Sequence, residues 1–338
     1  MLRIGLIGCG YWGKNYLRIV NENPECIMKY CCDLNSENLS KYSIINSEVK
    51  KTVDYNDLLN DDSLDAIIIS TPAETHYHLA KEALEAGKHV LVEKPLTRSS
   101  FDARDLVNLA KDKNKILMVG HIFEFNPAVN KIKDYIEKGE FGEIYYFYFN
   151  RTGLGPIRED VGALWDLVPH DVSILLYLLK KKPESVLASG SAYLQNGIED
   201  VVFLTLKFNG NLIANIHASW LDPYKIRKMT MVAEKKMLVF DDTSNETLKI
   251  FDRGAGPVES ESFASFKTQI WDGDILIPKI KFVEPLKAEF SYFINCIKKG
   301  KIQKSSPEDG YNVVNILESA QKSIEMGKTI KIDWTKKK

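Results

Sequence analysis

The sequence predicts an α/β protein in two parts: a doubly wound parallel sheet, then an α+β domain on an open, mostly antiparallel sheet. Three observations carry this. From residue 3 to residue 119, short β-branched runs alternate with helical patterns, as in a parallel sheet covered on both faces. The first run breaks into a glycine-rich turn that opens a helix. Beyond Gly120 come strand-like runs joined by short connections such as Asn209-Gly210 and Glu234-Lys235, which is hairpin chemistry. A chain of 338 residues is long enough for two domains. We divide it into 1–120 and 121–338, with the C-terminal helix free to pack back on the first domain.

Arg3 to Ile7 is the first strand, and Gly8-Cys9-Gly10-Tyr11-Trp12-Gly13 follows it. Gly8 permits a tight turn, Gly10 lets the backbone approach a pyrophosphate, and Gly13 lets helix and strand pack closely. The free amides and positive dipole end of the next helix favour the phosphates. Gly8, Gly10, Tyr11, Trp12 and Gly13 are therefore the expected cofactor loop. Cys26 to Cys32 is the second strand and ends at Asp33, twenty residues after Gly13. A carboxylate there accepts from both ribose hydroxyls and repels a 2′-phosphate. No arginine follows closely, so NAD is favoured over NADP; the alternative is a helix-capping aspartate.

Asp65 to Ile69 is a third buried strand, closed by Ser70, Thr71 and Pro72. Thr75–Glu85 reads as a helix ended by Gly87, Ser100–Lys111 as another, and Ile116–Val119 as a strand. His76 and His78 are two apart and do not share a helical face; each is open to a capping, surface or cofactor-contact reading. His89 to Glu93 is a strand that stops at a carboxylate, an ammonium and a proline, Glu93-Lys94-Pro95. A buried strand needs no charges, so its end delivers them to the crevice where such sheets bind ligands. A plain salt pair is the alternative.

The second part begins with an amphipathic helix, Pro127–Lys138, and an aromatic strand, Glu143–Arg151. Strand-like runs follow at 185–194, 200–208, 212–220, 228–233, 237–241 and 247–251. On one of them Ala214, Ile216 and Ala218 share an apolar face, and Asn215, His217 and Ser219 share a mixed one. Residues 254–283 show no clean period and are expected to be a long irregular connection. Helical patterns at Pro285–Lys298 and Pro307–Gly327 and a strand-like 329–333 complete the chain.

Between the aromatic strand and the first hairpin, Asp166 and His170 stand four apart at the entrance to an apolar helix, Val172–Leu179. Helical spacing puts them on one face, and Pro169 fits the first turn. An Asp and a His there are odd as core and sensible as chemistry, although a capped helix start is the other reading. Oxidising a secondary alcohol removes a hydride and a proton. A histidine accepts the proton, a lysine such as Lys94 stabilises the developing alkoxide, and Asp166 binds a neighbouring hydroxyl or fixes the imidazole.

The balance of charge excludes several classes. Forty-five basic and forty-six acidic residues give a net charge of −1, no footprint for nucleic acid or anionic membrane. No apolar run approaches a membrane span, and no leader sequence is expected. The five cysteines lack metal spacing and read as buried hydrophobes in a reducing cytoplasm; no metal is expected. Lys336 to Lys338 read as a solvated tail.

With Gly8–Gly13, Ser70-Thr71-Pro72, Glu93-Lys94-Pro95 and Asp166 to His170 in this order, the chain resembles the glucose–fructose oxidoreductase, inositol dehydrogenase and MocA-like (Gfo/Idh/MocA) family over almost its full length. The resemblance implies an N-terminal Rossmann domain and a C-terminal domain whose open sheet makes dimers or tetramers. It also implies that Lys94, Asp166 and His170 are the catalytic set, and that Ser70 to Pro72, His76 and Glu93 line the nicotinamide side. Gly120 to Pro127 and Leu154 to His170 look most like members acting on nucleotide-linked sugars, the 3-dehydrogenases of UDP-N-acetylglucosamine and its uronic acid. Arg151 and Arg158 are the candidates for holding such a substrate. The functions that follow are NAD-dependent oxidation of a sugar ring hydroxyl, redox-assisted glycoside elimination at the same site, or a cofactor-sensing regulator on the same scaffold.

Overall fold

A computed structural model describes residues 1–40, 49–257 and 268–335. The first half of the chain runs β1 (Leu2–Ile7), α1 (Gly13–Glu22), β2 (Cys26–Cys32), α2 (Ser36–Ser40), β3 (Lys50–Thr52), α3 (Asn56–Leu59), β4 (Ala66–Ile69), α4 (His76–Glu85), β5 (His89–Glu93), α5 (Ser100–Asp112) and β6 (Leu117–Gly120). Then come α6 (Pro127–Glu137), β7 (Ile144–Thr152), α7 (Ala163–Asp166), α8 (Val168–Leu179), β8 (Ser185–Ser191), β9 (Val201–Lys207), β10 (Ile213–Ser219), β11 (Ile226–Ala233), β12 (Met237–Asp241), β13 (Leu248–Pro257) and β14 (Thr268–Leu276). The chain continues with α9 (Pro285–Lys299), α10 (Pro307–Met326) and β15 (Ile330–Lys331).

Among the described residues the first sheet is six parallel strands in the order β3-β2-β1-β4-β5-β6. All of β4 is buried, which is why it reads as an unbroken apolar run. The order in which strands are added reverses between β1 and β4, and the crevice beyond their carboxyl ends is the ligand site of such sheets. The sequence reading missed β3, because Lys50-Lys51-Thr52 is a short exposed edge without apolar alternation.

The chain gathers into two compact units, one holding Met1–Phe125 and Val283–Glu318, the other Asn126–Phe282 and Ser319–Trp334. The first stretch ends at Phe125, where the sequence leads one to expect a division after residue 120, and α9 with the start of α10 lies in the first unit. The apolar face of α9, Leu286, Phe290, Phe293 and Ile294, shares one core with Ile4, Leu6, Tyr16, Leu17 and Val20.

The sheet of the second unit has the order β14-β13-β12-β11-β7-β10-β9-β8-β15 among the described residues. Only the β7–β10 pairing is parallel there. Phe147, Phe149, Ala214, Ile216, Met229 and Met231 fill its inner face. Tyr146, Tyr148, Phe203 and Ile213 are exposed, and His217 stacks on Phe203 with ring centroids 4.3 Å apart.

Two further expectations need correction. Much of 254–283 is strand, because β13 and β14 form an antiparallel pair across it; residues 258–267 lie outside the described residues. Gly254 and the charges between Arg253 and Asp274 hid the alternation. The glycine is required there, since a Cβ on it would lie 2.0 Å from the Trp271 ring. The helix expected from Val172 starts at Val168, with Pro169 in its first turn. The tail at Lys336 to Lys338 lies outside the described residues.

Candidate active site

In the first unit the glycine turn has the shape its three positions require. Gly8 takes the left-handed φ of 92°, and a Cβ on it would lie 2.7 Å from the Ser70 carbonyl. A Cβ on Gly13 would lie 2.1 Å from the Gly8 oxygen, whereas one on Gly10 meets nothing within 4 Å. The backbone is thus tight where strand and helix must touch and open where a diphosphate must approach. No side chain caps α1 at Trp12, which leaves its first amides for an anion. Tyr11 is exposed, with the Lys14 ammonium 4.7 Å from its ring centroid.

Asp33 lies at the end of β2. It accepts from the Cys9 amide at 2.7 Å, the Asn35 amide at 2.8 Å and the Asn38 side chain at 3.2 Å. A carboxylate offers about four acceptor sites, so capacity remains for a ribose hydroxyl while the loop is already fixed. Across the crevice floor the Ser70 hydroxyl donates to the Gly8 carbonyl at 2.7 Å, joining the ends of β1 and β4. These residues fit NAD.

Thr71 shares a 2.6 Å hydrogen bond with Thr75, and Pro72 is exposed. His76 is buried, its ring nitrogens 2.7 Å from the Pro95 carbonyl and 3.0 Å from the Thr71 carbonyl. It ties the turn after β4 to the turn after β5. Carbonyls only accept, so the ring donates to both only when doubly protonated.

At the end of β5, Glu93 Oε1 accepts from the Tyr16 hydroxyl at 2.7 Å and Oε2 from the Lys94 amide at 3.2 Å. A Cβ on Gly120 would lie 3.2 Å from that carboxylate, so the glycine opposite makes room for it. Burial pushes the Glu93 carboxyl up, against Tyr16 and the Lys94 charge. Lys94 is half-buried, followed by a cis peptide to Pro95. His121, just after β6, is fully buried, and burial and the Lys94 charge push it down to about 3.

In the second unit Asp166 ends α7 and His170 lies in the first turn of α8, half-buried. Leu167 between them keeps right-handed helical angles, so the spacing of four retains its helical geometry. Asp166 Oδ1 accepts from Arg158 at 3.2 Å and Oδ2 from the Trp220 indole at 3.3 Å. Arg158 also forks onto Asp160 at 2.8 and 2.6 Å and holds that carboxyl below its usual range. Arg151 is placed differently from Arg158. It is buried and gives three hydrogen bonds of 2.7 to 3.1 Å to Asp171, so it serves the core of this unit. Burial pushes Asp171 up against the pull of Arg151. Arg227, its side chain 41% exposed, stands 3.7 Å from Asp242.

The first unit thus places Gly8, Gly10, Gly13, Asp33, Ser70 and Thr71 after the carboxyl ends of β1, β2 and β4, with His76 hydrogen-bonded to the turns after β4 and β5 and Glu93 at the end of β5. The second gathers Arg158, Asp160, Asp166 and Trp220. Sequence reasoning missed Tyr16, Asp160 and Trp220. Tyr16 read as one more apolar position of α1, and Trp220 is 54 residues from Asp166 in the chain. Among the described residues no three or more His, Cys, Asp and Glu side chains are grouped so as to hold a metal ion.

Residues 2–121 match the oxidoreductase family with an NAD-binding Rossmann fold, and residues 129–239 match the GFO/IDH/MocA C-terminal domain. The myo-inositol 2-dehydrogenase of Thermotoga maritima is 25% identical over 98% of this chain and 99% of its own. The UDP-N-acetylglucosamine 3-dehydrogenase of Acidithiobacillus ferrooxidans is 28% identical over 76% of this chain and 79% of its own. The crystal structure of GenD2 from gentamicin A biosynthesis, in complex with NAD, superposes with a TM-score of 0.83 at 20% identity, covering 98% and 96% of the two chains. The chain belongs to the Gfo/Idh/MocA family of oxidoreductases and is an NAD-binding dehydrogenase acting on alcohol groups.

Proposed function

We propose that the enzyme moves a hydride between NAD and a secondary ring hydroxyl of a sugar, and that the sugar is nucleotide-linked and reacts at C3. The observation that carries the sugar reading is Asp166. Its carboxylate is held from both sides by Arg158 and Trp220, with its side chain 17% exposed, a preset acceptor for a ring hydroxyl. Arg158 brings a guanidinium to the same place, suited to a diphosphate. The family membership and the name of the Acidithiobacillus relative support the nucleotide-linked substrate.

NAD, when bound, takes up the hydride from the alcohol carbon. We assign Lys94 to hydrogen-bond the reacting oxygen and stabilise its developing charge. His170 takes the hydroxyl proton on its imidazole, and Asp166 orients the ring through a neighbouring hydroxyl. Tyr11, Trp12, Asp33 and Ser70 to Pro72 are assigned to the cofactor, with Glu93 on its nicotinamide side. NADH formation followed with UDP-N-acetylglucosamine, its uronic acid and free inositols tests this. Turnover of a nucleotide sugar to its 3-ketone, lost in K94A and H170A while NAD still binds, is the expected result. Turnover of free inositol alone would overturn the substrate assignment.

We further infer that copies of the chain associate through the outer face of the second sheet, supported by exposed Tyr146, Tyr148, Phe203 and Ile213. The five cysteines are free and buried, which suits a reducing cytoplasm, and no helix of the described residues is long and apolar enough to cross a membrane. Light scattering should give a dimer or tetramer that Y148E weakens; a monomer in the native protein would refute the association.

A further inference from the structure

On the inner face of the second sheet two arginines stand directly opposite each other. The antiparallel register of β7 with β11 pairs Phe147 with Met231, Phe149 with Met229 and Arg151 with Arg227. The first two pairs are buried and apolar, and the alternation that puts them inside puts both arginines on the same face. Directly opposed residues have their Cβ atoms about 5 Å apart, and like charges there repel. An apolar residue at 227 would continue the row without that repulsion. The second arginine therefore breaks a local rule, as functional positions do.

Neither neighbouring carboxylate consumes it. Asp171 is taken by Arg151 through three hydrogen bonds. Asp242 Oδ2 stands 3.7 Å from the Arg227 guanidinium, past hydrogen-bond length. The Asp242 amide is fixed on the Arg227 carbonyl at 3.0 Å, and its carboxylate accepts at 3.2 Å from Asn126, the N-cap of α6. Lys228 and Asp241 pair on the opposite face of β11. Burial first, then the Arg151 charge, push Arg227 down, against Asp242 and Asp171. The side chain is 41% exposed, so a planar fork of N–H donors, aimed by Asp242 but not occupied by it, is open to a ligand.

Its place suits the substrate. Asp171, which closes the arginine row, follows His170 in the first turn of α8. Asp166 is held by Trp220, which follows β10, the other neighbour of β7. A ligand gripped by a hydroxyl at Asp166 and by an anion at Arg227 is thus held from both sides of β7, and its direction is fixed.

We propose that Arg227 is a substrate-binding residue that takes an anionic group of the substrate, a ring carboxylate or the diphosphate, while Asp166 takes a hydroxyl. This rests on the assignment of Asp166 and His170 to the sugar.

The experiment is calorimetric titration of the NADH-saturated protein with UDP-N-acetylglucosamine, its uronic acid, glucuronate and glucose, wild type against R227M and R227K. R227M should bind the anionic ligands about ten- to a hundredfold more weakly, the loss of a charge-assisted fork. R227K, which keeps the charge without the fork, should lose less. Equal losses for the two nucleotide sugars assign the diphosphate to Arg227; a loss confined to the uronic acid and glucuronate assigns the carboxylate. R227M matching wild type on every anion would overturn the proposal, and so would a loss for glucose as large as that for the anions, which marks a structural role. If wild type binds neither nucleotide sugar, the nucleotide-linked reading fails by itself. A preference for glucuronate over glucose that R227M abolishes then still supports Arg227, and no such preference overturns it. Should R227M not fold, R227K decides alone by the same comparisons.

Discussion

At the crevice end of the parallel sheet the polar side chains are held by backbone groups and shifted by burial: Ser70 and Asp33 are occupied by main-chain groups, and burial pushes His121 down. The ion pairs of this unit, such as Lys81 on Asp105, involve other residues. On the mixed sheet the same problem is solved with opposite charges, Arg151 on Asp171, Arg158 on Asp160 and Asp166, Arg227 near Asp242. A seat for a diphosphate and a nicotinamide needs fixed dipoles and close backbone approach, and loose side-chain charge there would compete with the ligand. A place that grips hydroxyls and anions through side chains needs charges already oriented, which pairing achieves. The two regions should therefore fail differently when broken: the first through shape, the second through uncompensated charge.

The largest effect is expected at Arg151. R151A leaves the Asp171 carboxylate buried without its partner and should cost ~3–5 kcal/mol in denaturant unfolding. The paired change R151M/D171L should recover most of that, since well-packed apolar groups replace such pairs at little cost. A mild R151A would mean that the pair is solvated. The glycine turn supplies the matching break by shape. G13A forces a 2.1 Å contact on the Gly8 oxygen and should lower both stability and cofactor binding. G10A, with open space around it, should keep its melting temperature and lose the stabilisation by NAD, which at ~100 times the dissociation constant is ~2.7 kcal/mol. Equal stability losses in the two variants would erase the distinction.

How much of this was legible in the sequence follows the same division. Features set by local backbone were readable: the glycine turn, Asp33 at the end of a strand, Glu93-Lys94 at the end of another, and the alternation that gives β10 its two faces. Features set by distant partners were not. Nothing near Arg151 says that Asp171, a turn into α8, will claim it rather than a substrate, and Tyr16 looks like any apolar position until Glu93 meets its hydroxyl. The pairing of β13 with β14 was hidden because Gly254 looks like a break until the ring of Trp271 is seen against it.

Asp33 should show an intermediate effect. D33A removes the acceptor that fixes the Cys9 amide as well as the ribose acceptor, and NAD binding should weaken by ~1.5–3 kcal/mol, with NADP less affected because the repulsion of its 2′-phosphate goes too. Equal losses for both cofactors in a titration would mean that Asp33 only shapes the loop.

The smallest effect is expected at Trp220. Its indole reaches Asp166 Oδ2 at 3.3 Å, near the long end for a hydrogen bond, while Arg158 independently holds Oδ1. W220F keeps most of the ring volume in a buried place and removes that single donor. About 1 kcal/mol of orientation is at stake, roughly fivefold in kcat/KM on the true substrate. R158M, which takes a charged donor from the same carboxylate and from Asp160 as well, should cost more. If W220F proves the more damaging of the two, Asp166 is placed by the indole rather than by charge, and the second unit resembles the first more closely than its ion pairs suggest.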